Sequence, residues 1–149
     1  MTSILTFQIA RIENRQFACF PEDYIVGENV DIHAQFGFDV DEQTQTVCCF
    51  SKFMFEQQRN KLLVAEVLTY FLIHPDSFEE IGHDGEFQIP VDHLRHFATI
   101  AVGTARGILW AKTEGTCLNQ IVLPPINLVE AITDDFRKEA TSNQNVAEP

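Results

Sequence analysis

At 149 residues the chain can bury about two-thirds of its unfolded surface in one core, so it needs neither disulfides nor a metal to fold. Its 22 acidic and 10 basic residues leave a net charge of −12, which repels a phosphate backbone and excludes nucleic-acid binding of the electrostatic kind. The charge is uneven, with 15 acids against 5 bases in residues 1–90 and 7 against 5 in residues 91–149.

Met1 to Gln8 hold no basic segment followed by an apolar run of signal-peptide length. Cys19, Cys48, Cys49 and Cys117 lack paired metal-ligand spacing and read as free thiols, so a reducing cytoplasm is the expected location. Ile4–Ile12 and Gln16–Phe20 carry weak strand signals. The connection Pro21–Glu28 that follows keeps exposed-looking Tyr24, Ile25 and Val26. Val30, Ile32, Ala34, Phe36 and Phe38 then alternate with Asp31, His33, Gln35 and Asp39, which predicts a half-buried strand. Asp39–Thr44 make a turn, Val47–Phe55 a second strand, Gln57–Asn60 another turn and Leu62–Ile73 a third strand, together an antiparallel meander. Adjacent Cys48 and Cys49 must point to opposite faces. Leu62, Val64, Leu68, Tyr70 and Leu72 on one side, with Leu63, Val67, Phe71 and Ile73 on the other, predict burial of the third strand on both faces.

His74–Glu86 reads as a polar linker that delivers the chain to Pro90, which is tolerated in the first turn of a helix. From Pro90 to Gly115 one long helix is expected, with Asp92 near its start and Gly115 at its cap. Its segment Phe97–Ala111 has Arg106 as the only charge and apolar residues on more than one face, so it must be covered on several sides. It is too short to span a bilayer, and Arg106 opposes that reading. Ala101, Gly103, Thr104 and Gly107 favour close helix contact, and with Trp110 they form the expected interface of a homo-oligomer. Leu118–Pro125 is expected to be extended, and Ile126–Ala140 to form a second, amphipathic helix through Ile126, Val129, Ile132 and Phe136. The chain thus reads as one α+β domain over residues 1–140, a sheet of about four antiparallel strands followed by a long and a shorter helix. Residues 141–149 are expected to be a disordered tail.

Catalytic chemistry finds no constellation. His93 and His96 lie three apart, but no carboxylate or cysteine continues a metal-ligand pattern. Cys117, His93 and Asp92 could be arranged as nucleophile, base and orienting acid, yet no strained elbow or Gly-rich oxyanion loop accompanies them. Gly103 and Gly107 lie within a helix and cannot cradle phosphate. No cofactor, metal or enzyme activity is expected. The 13 phenylalanines stand out, with Trp110, Tyr24 and Tyr70, although Phe36, Phe38, Phe50, Phe53, Phe55 and Phe71 can each simply fill a core. An exposed remainder flanked by acids suits extended, apolar, often basic peptides.

The order of strand, apolar crossover loop, three-strand meander, long apolar helix, Pro-containing extended piece and second helix resembles the SecB family of protein-export chaperones over residues 4 to about 140. Locally, Ile121-Val122-Leu123-Pro124-Pro125-Ile126-Asn127-Leu128 is similar to that family's segment of Leu-Asn-Leu-Ala-Pro-Val-Asn-Phe type. Leu123, Pro125, Ile126, Asn127 and Leu128 stand at matching steps, while Val122 replaces the first Asn and Pro124 the Ala. The resemblance implies a tetramer built as a dimer of dimers through the long helices, and an ATP-independent holdase for unfolded preproteins. It implies a peptide groove at Phe20, Tyr24, Ile25, Leu123, Ile126 and Leu128. Docking to the SecA motor through acidic residues of the sheet also belongs to the family, but no individual docking residue matches here. Some relatives chaperone an antitoxin instead, and a non-enzymatic adaptor for one folded partner is the rival from another class.

Overall fold

The alternating segments become a four-stranded antiparallel sheet. The computed structural model describes residues 4–140, so the tail expected at 141–149 lies outside the described residues. Strands β1 (Phe7–Cys19), β2 (Asp31–Asp41), β3 (Thr46–Gln57) and β4 (Asn60–Ile73) are arranged in the order β1-β4-β3-β2. The β3–β4 hairpin turns on Gln58 and Arg59, whose φ values of 46° and 71° match the strand twist as a two-residue turn requires. β4 therefore sits inside the sheet, with Leu63, Ala65, Val67, Phe71 and Ile73 buried on one face.

Its other face departs from the expected two-sided burial. Val64, Leu68 and Tyr70 are only half-buried and Leu72 is exposed, and of that expected set Leu62 alone is buried. The two weak N-terminal signals are one strand, β1, whose ladder to β4 shifts register between Ile9 and Arg11 and between Asn14 and Gln16. Those irregularities break the alternation that marks a strand in sequence.

Helix α2 (Val91–Lys112) lies across the inner face and buries Leu94, Phe97, Ala98, Ala101, Val102, Ala105 and Leu109, one stripe at helical spacing. The Phe97 ring meets Phe71 at 4.6 Å and Phe7 at 4.9 Å between centroids. Ala101 is thus a core residue of the protomer and does not lie on the expected outer interface. Among the described residues no helix is long and apolar enough to cross a membrane. The helix ends at Lys112, before Gly115: Thr113 occupies the cap position and its hydroxyl donates back to Leu109 O at 2.8 Å. Gly115 serves the following turn at φ 85°.

The expected linker at 74–86 is ordered as α1 (Pro75–Ile81), β5 (Gly82–His83) and β6 (Glu86–Ile89). Phe78 and Ile81 drive this, since three-residue spacing puts both on the buried side of the short helix. The expected helix at 126–140 is also corrected. Cys117–Gln120 make a 3-10 turn, residues 121–127 run extended, and α3 (Leu128–Ala131) lasts one turn. β7 (Phe136–Glu139) then pairs antiparallel with β6, giving a three-stranded sheet β5-β6-β7. Thr133, Asp134 and Asp135 are poor helix formers whose side chains compete for backbone groups. Asp135 is engaged elsewhere: its Oδ1 accepts from Val91 N at 2.8 Å, capping the start of α2. Ile132 is buried in the core, and the spacing that suggested a helix continues across a chain that has already left it.

A half-buried trough beside the crossover loop

The inner-face residues of β2 do not close over completely. Val30, Ile32, Ala34 and Phe36 remain half-buried, and with Tyr24, Ile121 and Ile126 they rim a core cluster centred on Phe53, Phe55, Leu63, Val102 and Leu123. Val30–Phe36 form one side of this half-buried apolar border. The crossover loop and the extended segment 121–127 supply the others.

The loop is fixed by backbone bonds to polar anchors. Phe20 N donates to Leu62 O at 2.8 Å, and the Cys117 thiol donates to Pro21 O at 3.3 Å. Gln57, 1% exposed, accepts from Ile25 N at 2.8 Å and donates to Ile25 O at 2.9 Å and Glu28 O at 3.2 Å. Glu22, Asp23 and Glu28 of the loop and Asp31 at the start of β2 are exposed and give this stretch four negative charges.

Two arginines of α2 hold the opposite wall. Arg106 donates to Leu123 O at 2.5 Å and Pro124 O at 3.0 Å, while Arg95 donates to Ile132 O at 2.9 Å and Val129 O at 3.3 Å. The Pro pair explains the demand for such a clamp, since a chain without Pro124 and Pro125 N–H groups cannot hydrogen-bond itself into a helix or a sheet there. Between α2 and this segment lies a cleft of about 530 Å³ lined by Thr99, Val102, Arg106, Leu123, Ile126 and Leu128, among others.

The six groove residues named from sequence divide. Tyr24, Leu123 and Ile126 pack on the same cluster at this border. Phe20 and Ile25 lie exposed on the loop, and Leu128 packs half-buried on the other core cluster. Leu123 is 2% exposed, so its side chain belongs to the core floor rather than to an open surface. On α2, Gly103, Gly107 and Trp110 are exposed and Thr104 is half-buried, facing away from the sheet stripe that holds Ala101. Asp92 and His93 begin α2 while Cys117 follows its far end, so a helix of 22 residues separates them by roughly 30 Å. They cannot act as one catalytic set. Asp92 instead pairs with Arg95 at 3.6 Å, and the His96 ring stands edge-on to Phe7 at 5.6 Å.

Sequence reasoning missed Gln57, Arg95 and the second role of Arg106. A polar residue in the inward series of β3, after Phe53 and Phe55, was the available signal for Gln57.

No protein-family model matches the chain, and no curated protein matches it. Among solved structures, the chain is similar to the Mycobacterium tuberculosis Rv1957 SecB-like chaperone, which was solved in complex with a ChAD peptide from the Rv1956 HigA1 antitoxin. The identity is 18% and the TM-score 0.46, over 81% of this chain and 84% of that one. It is also similar to a protein of unknown function from Streptococcus agalactiae at 12% identity and a TM-score of 0.37, over 84% of this chain and 99% of that one. At these values neither likeness assigns a family, and the α+β arrangement stands on the chain's own topology.

Proposed function

We propose that this protein is an ATP-independent holdase of the SecB type that keeps unfolded polypeptides, preproteins destined for export, in an extended state. The observation that carries the reading is the apolar border at Tyr24, Ile32, Phe36 and Ile126, half-buried side chains beside an acidic loop. Such a surface binds by burial, which tolerates many sequences, while negative charge speeds encounter with basic flanks. The sequence resemblance at residues 121–128 supports the same assignment.

The working form is a cytoplasmic homo-oligomer, a dimer of dimers joined through the outer face of α2 at Gly103, Gly107 and Trp110. Those two glycines have open space where a Cβ would stand, which suits a close-packing partner helix. The test is aggregation of an unrelated unfolded protein. The holdase suppresses it at near-stoichiometric amounts, Tyr24→Ser weakens the suppression, and an unchanged aggregation curve overturns the proposal in favour of an adaptor for one folded partner. A pull-down of bound chains assigns the clients. Preproteins together with SecA support export, and recovery of an antitoxin alone replaces it.

A further inference from the structure

The acidic half of the chain carries only five bases, Arg11, Arg15, Lys52, Arg59 and Lys61, and two of them meet on the side of the sheet away from α2. Along β3 burial alternates, with Ser51, Phe53 and Phe55 enclosed and Lys52, Met54 and Glu56 half-buried on the opposite side. The register sets Met54 between His33 of β2 and Val64 of β4, and Lys52 between Gln35 and Glu66. Lys61 stands opposite Glu56. Around Met54 these strands leave a cleft of about 180 Å³ lined by His33, Gln35, Lys52, Met54 and Lys61.

No carboxylate lines the cleft. Lys52 and Lys61 each stand across the ladder from a glutamate, a placement in which opposite charges gain by pairing, yet neither closes on it. The ion pairs among the described residues belong instead to Arg11, His74, Arg95 and Lys138. Arg11, on the same face, reaches Glu13 at 3.6 Å and stacks on the Tyr70 ring. Two ammonium groups, an imidazole and a primary amide thus bring their donors to one cleft with an apolar floor, and no side chain among the described residues bonds to them.

We infer that this cleft binds the phosphoryl end of a phosphate monoester, with the dianion between Lys52 and Lys61 and the first carbons of the ester against Met54. A dianion matches two ammonium groups, which a carboxylate or a phosphodiester with its single charge does not. Sites that enclose a whole ligand run to about 300–1,000 Å³, so this smaller one accepts a headgroup and leaves the remainder in solvent. Polyanions are kept off by Asp31, Glu56 and Glu66, which share the face, and by the net charge of −12. The site stands apart from the holdase reading.

The test titrates the full chain with inorganic phosphate, glycerol phosphate and N-acetyl-phosphoserine amide, followed by NMR. Signals of His33, Gln35 and Lys52 should shift and saturate with all three, and stay in place with dimethyl phosphate or acetate. Lys52→Gln and Lys61→Gln should each weaken binding by roughly tenfold, the equivalent of one charge-assisted bond. Lys52→Arg should retain it. Gln35→Glu sets a carboxylate directly across from Lys52 and should abolish it. Arg137→Gln, exposed on β7, removes the same charge elsewhere and should leave the affinity unchanged.

Tighter binding of the phosphoserine amide assigns the ligand to phosphorylated side chains, and tighter binding of glycerol phosphate to small esters. No saturable shift overturns the inference. Equal binding of dimethyl phosphate, or equal weakening by Arg137→Gln and Lys52→Gln, also overturns it, because general attraction of anions to surface charge then accounts for the response. Aggregation suppression is measured separately, so either reading can fail alone.

Discussion

Gln57 and Ile25, thirty-two positions apart, are joined amide to amide: one buried side chain satisfies both the N–H and the C=O of one loop residue. The loop thereby follows β3 and cannot drift independently of the apolar border. Gln57→Leu keeps the volume and orphans both groups, with an expected cost of about 1–3 kcal/mol in denaturant unfolding. Gln57→Glu puts carboxylate oxygens against two carbonyls, which raises the folded-state pKa of the new acid. Its stability should be highest below about pH 4 and fall as pH rises, the signature of a buried acid that prefers to stay protonated. A flat profile for Gln57→Glu would detach the loop from this anchor.

The outer face of α2 separates packing within the protomer from packing between protomers. A Cβ on Gly103 meets nothing within 4 Å, so Gly103→Leu should leave the folded protomer intact and even favour the helix. If this face joins subunits, the particle should shrink in size-exclusion chromatography with light scattering while the circular dichroism is retained. An unchanged mass would remove the helix from the interface.

The ion pair between Asp39 and Lys138, 2.8 Å apart, ties the free edge of β2 to β7. The hydrogen bond from Lys138 holds the Asp39 carboxyl below its ordinary value of 3.8, against burial and with help from the Val40 N–H. A lowered folded-state pKa contributes stability that is present above the unfolded value and is lost as pH falls toward the folded one. The Tm gap between wild type and Asp39→Asn should therefore be constant between about pH 5 and 7 and close below about pH 4. A gap that widens in acid would contradict the pairing.

Burial pushes the Cys49 thiol up to about 12, with a smaller contribution from Cys48. Its neutral form is favoured on folding, so the associated stability is full below the ordinary value of 9.0 and declines as pH rises toward 12. Under mild alkylation of native protein Cys49 should be modified last, after half-buried Cys19, Cys48 and Cys117, and only as the sheet opens. Early modification, read by peptide mass spectrometry, would place Cys49 outside the core.

How far the sequence foretold the molecule follows from how local each cause is. The meander was legible because alternation at Val30–Phe38 and at Val47–Phe55 is written in consecutive residues, and α2 because its apolar stripe is continuous. β7 was not, since Ile132 and Phe136 keep helical spacing while Asp135 is drawn off to cap α2, a partner 44 positions away. α1 was hidden because Phe78 and Ile81 are flanked by acids that dominate the composition of 74–86. At the candidate site Tyr24 was readable as an exposed-looking side chain of the loop, whereas Ile126 entered only through the resemblance at residues 121–128. The clamps were not: Arg106 read only as a lone charge, and its work is done on carbonyls brought near by the fold.

The pairing of β6 with β7 brackets α2 between its own two strands, one made before the helix and one after it. During synthesis, then, the four-stranded sheet and the helix can leave the ribosome while β6 still waits for its neighbour, and the Asp135 cap follows them. Shortening the gene by the codons for 135–140 would strip the start of α2 as surely as cutting there, so affinity tags and fusions belong beyond that point rather than in place of it.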